Sequence, residues 1–146
     1  MNGQTKPKWL DAEQEFESWF MTKKSFCFKF HDARMAIGTG GSKRIFTASH
    51  PADYVVVDRG NMFYAEVKSS QNKTSFPFAS VKKSQWSGAM QTVAAGGSYF
   101  FFLKSEHLEK WFKVPATFIL DHFHGGAKSL KWEYFIPFTY QHGLVL

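Results

Sequence analysis

Glu66 and Lys68 stand two residues apart in YAEVKSS, residues 64–70, a stretch that otherwise reads as a buried strand. Side chains alternate along a strand, so this acid and this base share one face. Such groups are seldom fully buried unless paired. Asp53 opens the preceding β-rich stretch, DYVVVD at 53–58, and RGN at 59–61 turns the chain back into MFYAEVK at 62–68. Paired strands lie about 4.8 Å apart, which brings Asp53 within reach of Glu66. Two adjacent carboxylates repel, and one takes up a proton unless a positive charge intervenes. A divalent cation resolves that conflict. Oxygen ligands from Asp and Glu suit Mg²⁺ or Mn²⁺, which keep several waters, and the Val67 carbonyl points to the same edge as a further ligand. Lys68 would then orient or deprotonate a bound water, or stabilise charge developing on a phosphate. The plainer alternative is a Glu–Lys pair on the exposed face of a sheet, with Asp53 as a turn residue. E-x-K alone matches many strands by chance. What adds weight is PAD at 51–53, one strand upstream, together with an acid in the helix before it.

That helix is read over residues 9–24, where Leu10, Phe16, Trp19 and Phe20 form an apolar stripe at helical spacing. Glu13 falls inside the stripe, Glu17 at its edge, and Glu15 points away. SFCFKF at 25–30 alternates Phe26, Phe28 and Phe30 as a half-buried strand. GTGGSKRIFTASHP at 38–51 reads as a mobile loop, with Lys43, Arg44 and His50 available to phosphates. After the hairpin, SSQNKTSFPF at 69–78 reads as an irregular polar connection. Residues 79–95 read as a second helix with Val81, Trp86, Ala89, Met90 and Val93 inward, stopped by Gly96 and Gly97. SYFFFL at 98–103 and KWFKV at 110–114 read as strands, and the tail from 115 as two short helical pieces. The order predicts an α/β fold, a mixed central β-sheet flanked by helices.

The chain has 146 residues, suited to one domain over 1–146. Its 17 Phe imply an aromatic core more than a stacking surface. A net charge of +6 points to an anionic partner, nucleic acid first, against the simpler reading of charge for solubility. Lys82 and Lys83 on the second helix, and Lys73 before it, are candidates for the phosphate backbone. Trp19 and Trp86 fit apolar helix faces, whereas Trp9 and Trp132 have no clear face. DHFH at 121–124 reads as a surface turn, because two His without further ligands make no metal site. Cys27 is the only cysteine. With no signal-like start and no apolar run of membrane length, the expectation is a cytoplasmic protein with no membrane partner, encoded by a cell or a phage.

PAD at 51–53 and E-V-K at 66–68, on a hairpin preceded by a helix bearing a Glu, resemble the PD-(D/E)xK nuclease superfamily. Within it, EVKSSQNKTSFPF followed by Gln85 is similar to the RecU group of Holliday junction resolvases, whose E-x-K strand is followed by N-K-T-S-F-P and a helix carrying a Gln. GGSKR ahead of PAD is similar to the archaeal Hjc resolvases, which have a Ser in a basic loop there. GGAKSLKWEYF at 125–135 is similar to the end of RecU-like chains. The resemblance covers residues 10–140. It departs from the group in lacking a long basic N-terminal arm, and residues 31–50 are too few for a large projecting stalk.

The resemblance implies a restriction-endonuclease-like core (α-β-β-β-α-β) and a Mg²⁺- or Mn²⁺-dependent endonuclease acting in DNA recombination and repair. Asp53 and Glu66 would be metal ligands, with the Val67 carbonyl assisting, and Lys68 the catalytic lysine. Glu13 would be the helix acid that reaches metal directly or through water, with Glu17 one turn on as the substitute. Gln85 would support the site or DNA, and Ser42 would match the loop serine beside Lys43 and Arg44. The implied substrate is the four-way DNA junction, and its near two-fold symmetry implies a homodimer. Two alternatives stay open: another nicking, repair or restriction-type nuclease on the same core, and a non-catalytic DNA-binding protein.

Overall fold

The computed structural model describes residues 8–31, 34–37, 44–47 and 49–143, without the side chains of 34–37 and 44–47. The first helix, α1, is Lys8–Phe20, and strand β1 is Ser25–Lys29. Strands β2 (Arg34–Ile37) and β3 (Arg44–Thr47) pair antiparallel as a separate two-stranded sheet. Strand β4 (Tyr54–Asp58) and the long β5 (Asn61–Ser70) form the central hairpin. Then come β6 (Ser75–Pro77), α2 (Lys83–Ala94), β7 (Tyr99–Ser105), β8 (Lys110–Pro115), α3 (Ala116–His124), β9 (Ser129–Lys131) and β10 (Thr139–Tyr140). The main sheet has the order β1-β4-β5-β7-β8-β10. It is mixed: β5 and β7 run parallel, joined by a crossover through α2, and the other neighbours run antiparallel. No helix among the described residues is long and apolar enough to cross a membrane.

Alternation along the strands divides the core into two layers. Ala12, Phe16 and Phe20 of α1 cover one face, against Tyr54, Val56, Phe63, Ala65, Val67 and Phe102. Helices α2 and α3 cover the other, where Trp86, Ala89, Ile119 and Leu120 meet Tyr99, Phe101, Leu103, Phe112 and Val114. Phenylalanine fills both layers, as its abundance implied. Phe26 and Phe28 are the exception, exposed on edge strand β1. Trp86 is buried and stacks on Phe123 at 4.2 Å. Trp19 is half-buried among Trp111, Tyr140 and His142.

Several boundaries differ from the sequence expectation, each for a local reason. Helix α1 stops at Phe20 and not at residue 24, because Thr22 turns its hydroxyl onto the Lys24 N–H (3.3 Å) and Ser25 Oγ (2.6 Å). Such side-chain bonds compete with the helical ladder. Helix α2 starts at Lys83 and not at 79. A 3₁₀ turn at Phe78–Ser80 precedes it, and the Gln85 side chain accepts the Lys82 N–H at 2.8 Å. The stretch read as a mobile loop contains β3 at 44–47, while 38–43 and 48 lie outside the described residues. NKTSFP is no irregular connection either. Asn72 Oδ1 accepts the N–H groups of Thr74 and Ser75, both at 3.1 Å, and the Trp132 indole donates to the Asn72 carbonyl at 2.8 Å. β6 then pairs with β9, and Phe76 is fully buried. DHFH closes α3 as helix and is no turn.

Arg59 and Gly60 turn the central hairpin with φ of 47° and 86°, between paired Asp58 and Asn61. Two consecutive positive φ values match the twist of the flanking strands and favour glycine. Gly60→Ala is expected to cost about 1 kcal/mol, read as a lower midpoint in urea unfolding with unchanged slope.

Candidate active site

The pairing of β4 with β5 ends at Tyr54 and Ala65. Just beyond that last pair the two strands exchange side chains for backbone. The Asp53 N–H donates to Glu66 Oε2 at 3.1 Å, and the Val67 N–H donates to Asp53 Oδ2 at 3.0 Å. Each carboxylate thus satisfies the neighbouring strand's backbone with one oxygen. The Asp53 carbonyl accepts the Phe30 N–H at 2.9 Å, so the residue that follows β1 holds Asp53 from its other side.

Glu66 is fully buried in the middle of the sheet. Its Oε1 lies 3.4 Å from Lys68 Nζ, an ion-pair distance without hydrogen-bond geometry, and has no hydrogen-bond partner. Burial first, and the Asp53 carboxylate second, push the Glu66 carboxyl far above the usual range, with Lys68 opposing. The plainer alternative, a Glu–Lys pair on an exposed face, is therefore ruled out. Glu66 is an acid deep in the sheet, and Lys68 reaches it from a half-buried position.

Glu13 approaches from α1. It lines, together with Asp53, a cleft of about 330 Å³ whose walls also include Lys29, Lys82 and Gln85. Lys29 binds Glu13 Oε2 at 3.0 Å. Burial raises the Glu13 carboxyl, and the bond to Lys29 works against that. One turn on, Glu17 accepts the Tyr54 hydroxyl at 2.8 Å and lies 4.0 Å from Lys29. Of the two helix acids, Glu13 is the one that faces the cleft. Among the described residues no three His, Cys, Asp or Glu side chains form a group ready to hold a metal ion. The acids in closest register are Asp53 and Glu66.

The remaining candidates separate. Lys82 is exposed on the cleft wall, and Lys83 is exposed outside its lining. Gln85 is buried, with its side-chain oxygen committed to the start of α2. Lys73 lies on a different groove, with Lys110 and Lys131. Ser42 and Lys43 lie outside the described residues, and of Arg44 only its place on β3 is described.

Three residues that sequence reasoning passed over set this geometry. The Tyr99 hydroxyl donates to the Pro51 carbonyl at 2.6 Å. Gly88 faces the same residue so closely that a Cβ there would lie 2.5 Å from the Pro51 oxygen. The segment carrying Asp53 is thus pressed onto α2 and tied to β7. Lys29 supplies the counter-charge for Glu13. An isolated glycine inside a helical pattern is the signal that pointed to Gly88. Lys29 ends the alternating Phe strand and carries no signal of its own.

A hairpin bearing two acids and a lysine at the fork of a mixed sheet, with helices on both faces, is the arrangement that a PD-(D/E)xK resemblance implies. The chain belongs to the family described as Recombination protein U, RecU, which matches residues 19–143. It is 30% identical over 112 residues to the Holliday junction resolvase RecU of Geobacillus thermodenitrificans (strain NG80-2), covering 66% of this chain and 53% of that protein. It is 29% identical over 89 residues to the RecU of Latilactobacillus sakei subsp. sakei (strain 23K), covering 58% and 42%. The chain thus spans about half the length of the curated relatives it matches. Among solved structures, it is similar to Hjc, a Holliday junction resolvase from Archaeoglobus fulgidus, with a TM-score of 0.48 and 12% identity over 76% of this chain and 75% of that one.

Two expectations follow from the packing. Gly88→Ala ordinarily favours a helix, yet here it is expected to destabilise by ~1–3 kcal/mol through overpacking against Pro51, measured by thermal unfolding. The second concerns pH. The folded state holds Glu66 protonated up to about 9, against an ordinary 4.5. A raised carboxyl favours folding while protonated, so its contribution is fully present below 4.5 and is lost as pH rises toward 9. In chelating buffer, Glu66→Gln is expected to remove that decline, seen as melting temperatures of variant and wild type diverging with pH. Parallel curves would place the Glu66 carboxyl in its ordinary range.

Proposed function

We propose that this chain is a metal-dependent endonuclease that resolves four-way DNA junctions by paired nicks, with Asp53, Glu66 and Lys68 at the reacting phosphate. The observation that carries this reading is the buried Glu66, whose Oε1 faces Lys68 while its other oxygen is tied to Asp53. A stable fold has no use for a fully buried acid beside a second carboxylate. A hydrolytic site does. The RecU relatives, named as Holliday junction resolvases, supply the substrate class.

The donor set fits Mg²⁺ or Mn²⁺. Asp53 and Glu66 each spend one oxygen on backbone and leave the other, and Mg²⁺ characteristically takes one or two carboxylates and keeps its waters. A divalent ion held by these two carboxylates and the Val67 carbonyl would supply positive charge to the phosphate oxygens in the transition state.

Lys68 orients the attacking water and screens the negative charge that develops as it attacks. Its ammonium is already drawn to the site by Glu66. Attack is in line: the bond from water oxygen to phosphorus forms as the bond to the 3′ oxygen breaks, leaving a 3′-hydroxyl and a 5′-phosphate. Glu13, held by Lys29, sits on the cleft wall where it can receive a proton or position a water. Lys82 on the same wall meets the phosphate backbone. A four-way junction needs two symmetric cuts, which a C₂ homodimer supplies with two such sites.

The test is cleavage of a labelled four-way junction and a matched linear duplex, each with Mg²⁺ or EDTA. Paired nicks in the junction alone, and only with Mg²⁺, are expected. Glu66→Gln and Asp53→Asn should each lower the rate at least ~10³-fold, on the scale of losing a principal charge-stabilising group, while junction binding persists. Equal cutting of both substrates would keep the nuclease and remove junction selectivity. Undiminished cleavage by either variant would overturn the site.

A further inference from the structure

We infer that the cleft beside Asp53 binds one unstacked nucleobase of the strand being cut, with Trp9 as its stacking face; this rests on the nuclease reading above. Trp9 is 56% exposed. The buried positions of α1 are Ala12, Phe16 and Phe20, four residues apart, and Trp9 stands one turn earlier on the same stripe. Trp9 belongs to neither core cluster of the described residues, and its side chain lines the cleft. The other four tryptophans are each engaged with rings of the fold. Folding therefore gains little from an aromatic at position 9.

The rest of the cleft matches a base with its phosphate. Phe30 and His50 stack on each other, 5.5 Å apart and 22° from parallel, and both line it. His50 Nε2 is bonded to the His31 carbonyl at 2.6 Å, which fixes that ring. Lys29 and Lys82 supply cations to the same space, and Asp53 stands at its floor. A volume of about 330 Å³ lies at the small end of ligand pockets, enough for one planar group and too small for a duplex. Aromatic faces among lysines are the chemistry that holds single-stranded nucleic acid, because every base offers a π-face whatever its sequence. Bases that are mismatched or already unpaired cost least to extrude, and pairs flanking an exchange point lack a continuous duplex on one side. A base held on Trp9 fixes its own phosphate beside Asp53, so the contact bears on where the strand is cut as well as on affinity.

The experiment measures junction binding in EDTA for wild type, Trp9→Ala and Trp9→Tyr. A single abasic nucleotide is moved, one junction at a time, through the positions flanking the exchange point. Melting curves of the variants check that α1 is intact. On the unmodified junction, Trp9→Ala is expected to bind roughly 5- to 150-fold more weakly, the scale of one lost base–aromatic stack, and Trp9→Tyr close to wild type. At one abasic position wild type should fall by the same factor, and Trp9→Ala should not fall further. Wild-type affinity in Trp9→Ala, or equal losses at every abasic position in both proteins, would overturn the inference. If wild type still cuts the junction with Mg²⁺ in that case, the nuclease reading stands without it. If wild type neither binds nor cuts any junction, both fail together.

Discussion

The exchange between Asp53 and Glu66 is the contact on which the architecture turns. Two strands of a sheet part at this point, and each would leave backbone N–H groups without a ladder partner. The Asp53 and Glu66 carboxylates accept them, each crossing to the other strand. The same bonds close the hairpin and fix two acids side by side. The cost is electrostatic, since Glu66 is buried and adjacent to a like charge. The fold carries that cost where functional sites commonly carry theirs, at a local conflict held in place by everything around it.

What surrounds it explains how the conflict persists. Tyr99 from β7, Gly88 from α2 and the N–H of Phe30, just after β1, all act on residues 51–53. Those contacts come from three different parts of the chain, so Asp53 cannot relax away from Glu66 without disturbing all of them. Ala52, between the two contact points, is buried. The acidic hairpin is thus clamped from the α2 face of the sheet and from the side of β1. The parallel pairing of β5 with β7 places Glu66 opposite fully buried Phe101, which denies it water from below.

Much of this was legible in the chain, and the exceptions share a cause. Strand period, the Arg59–Gly60 turn and the E-x-K spacing are local properties, and the central hairpin with Asp53, Glu66 and Lys68 came out of them at the right places. The glycine pair at 96–97 likewise marked the end of α2. What escaped depended on partners distant in sequence. NKTSFP looks polar and irregular until Trp132, sixty residues later, binds the Asn72 carbonyl. Gln85 does line the cleft, but that its side-chain oxygen also accepts the Lys82 N–H at the start of its own helix was not to be read from the chain. Glu13 and Glu17 were one turn apart on the same stripe, and only Tyr54 and Lys29 distinguish them. Lys29 itself was invisible, because its role exists only once α1 crosses β1.

The charges around the fork bear on why a basic protein keeps so acidic a centre. Glu13, Asp53 and Glu66 face Lys29 and Lys68; the cluster is balanced while Glu66 holds its proton, and carries one negative charge in excess once that proton leaves. Left so, it repels a phosphodiester. On the proposed nuclease reading, lysines elsewhere, Lys82 among them, would attract the DNA backbone over the range of a Debye length, about 8–10 Å, but would not reverse the sign at the point of contact. A divalent cation would change the local excess from minus one to plus one. The surface would then recruit the polyanion, and the centre would admit it only when loaded. Lys29 matters to that logic: without it Glu13 would add a second uncompensated charge, and one divalent ion would leave the centre merely neutral. On that reading, the pairing of Glu13 with Lys29 removes a negative charge that a bound cation would otherwise have to offset.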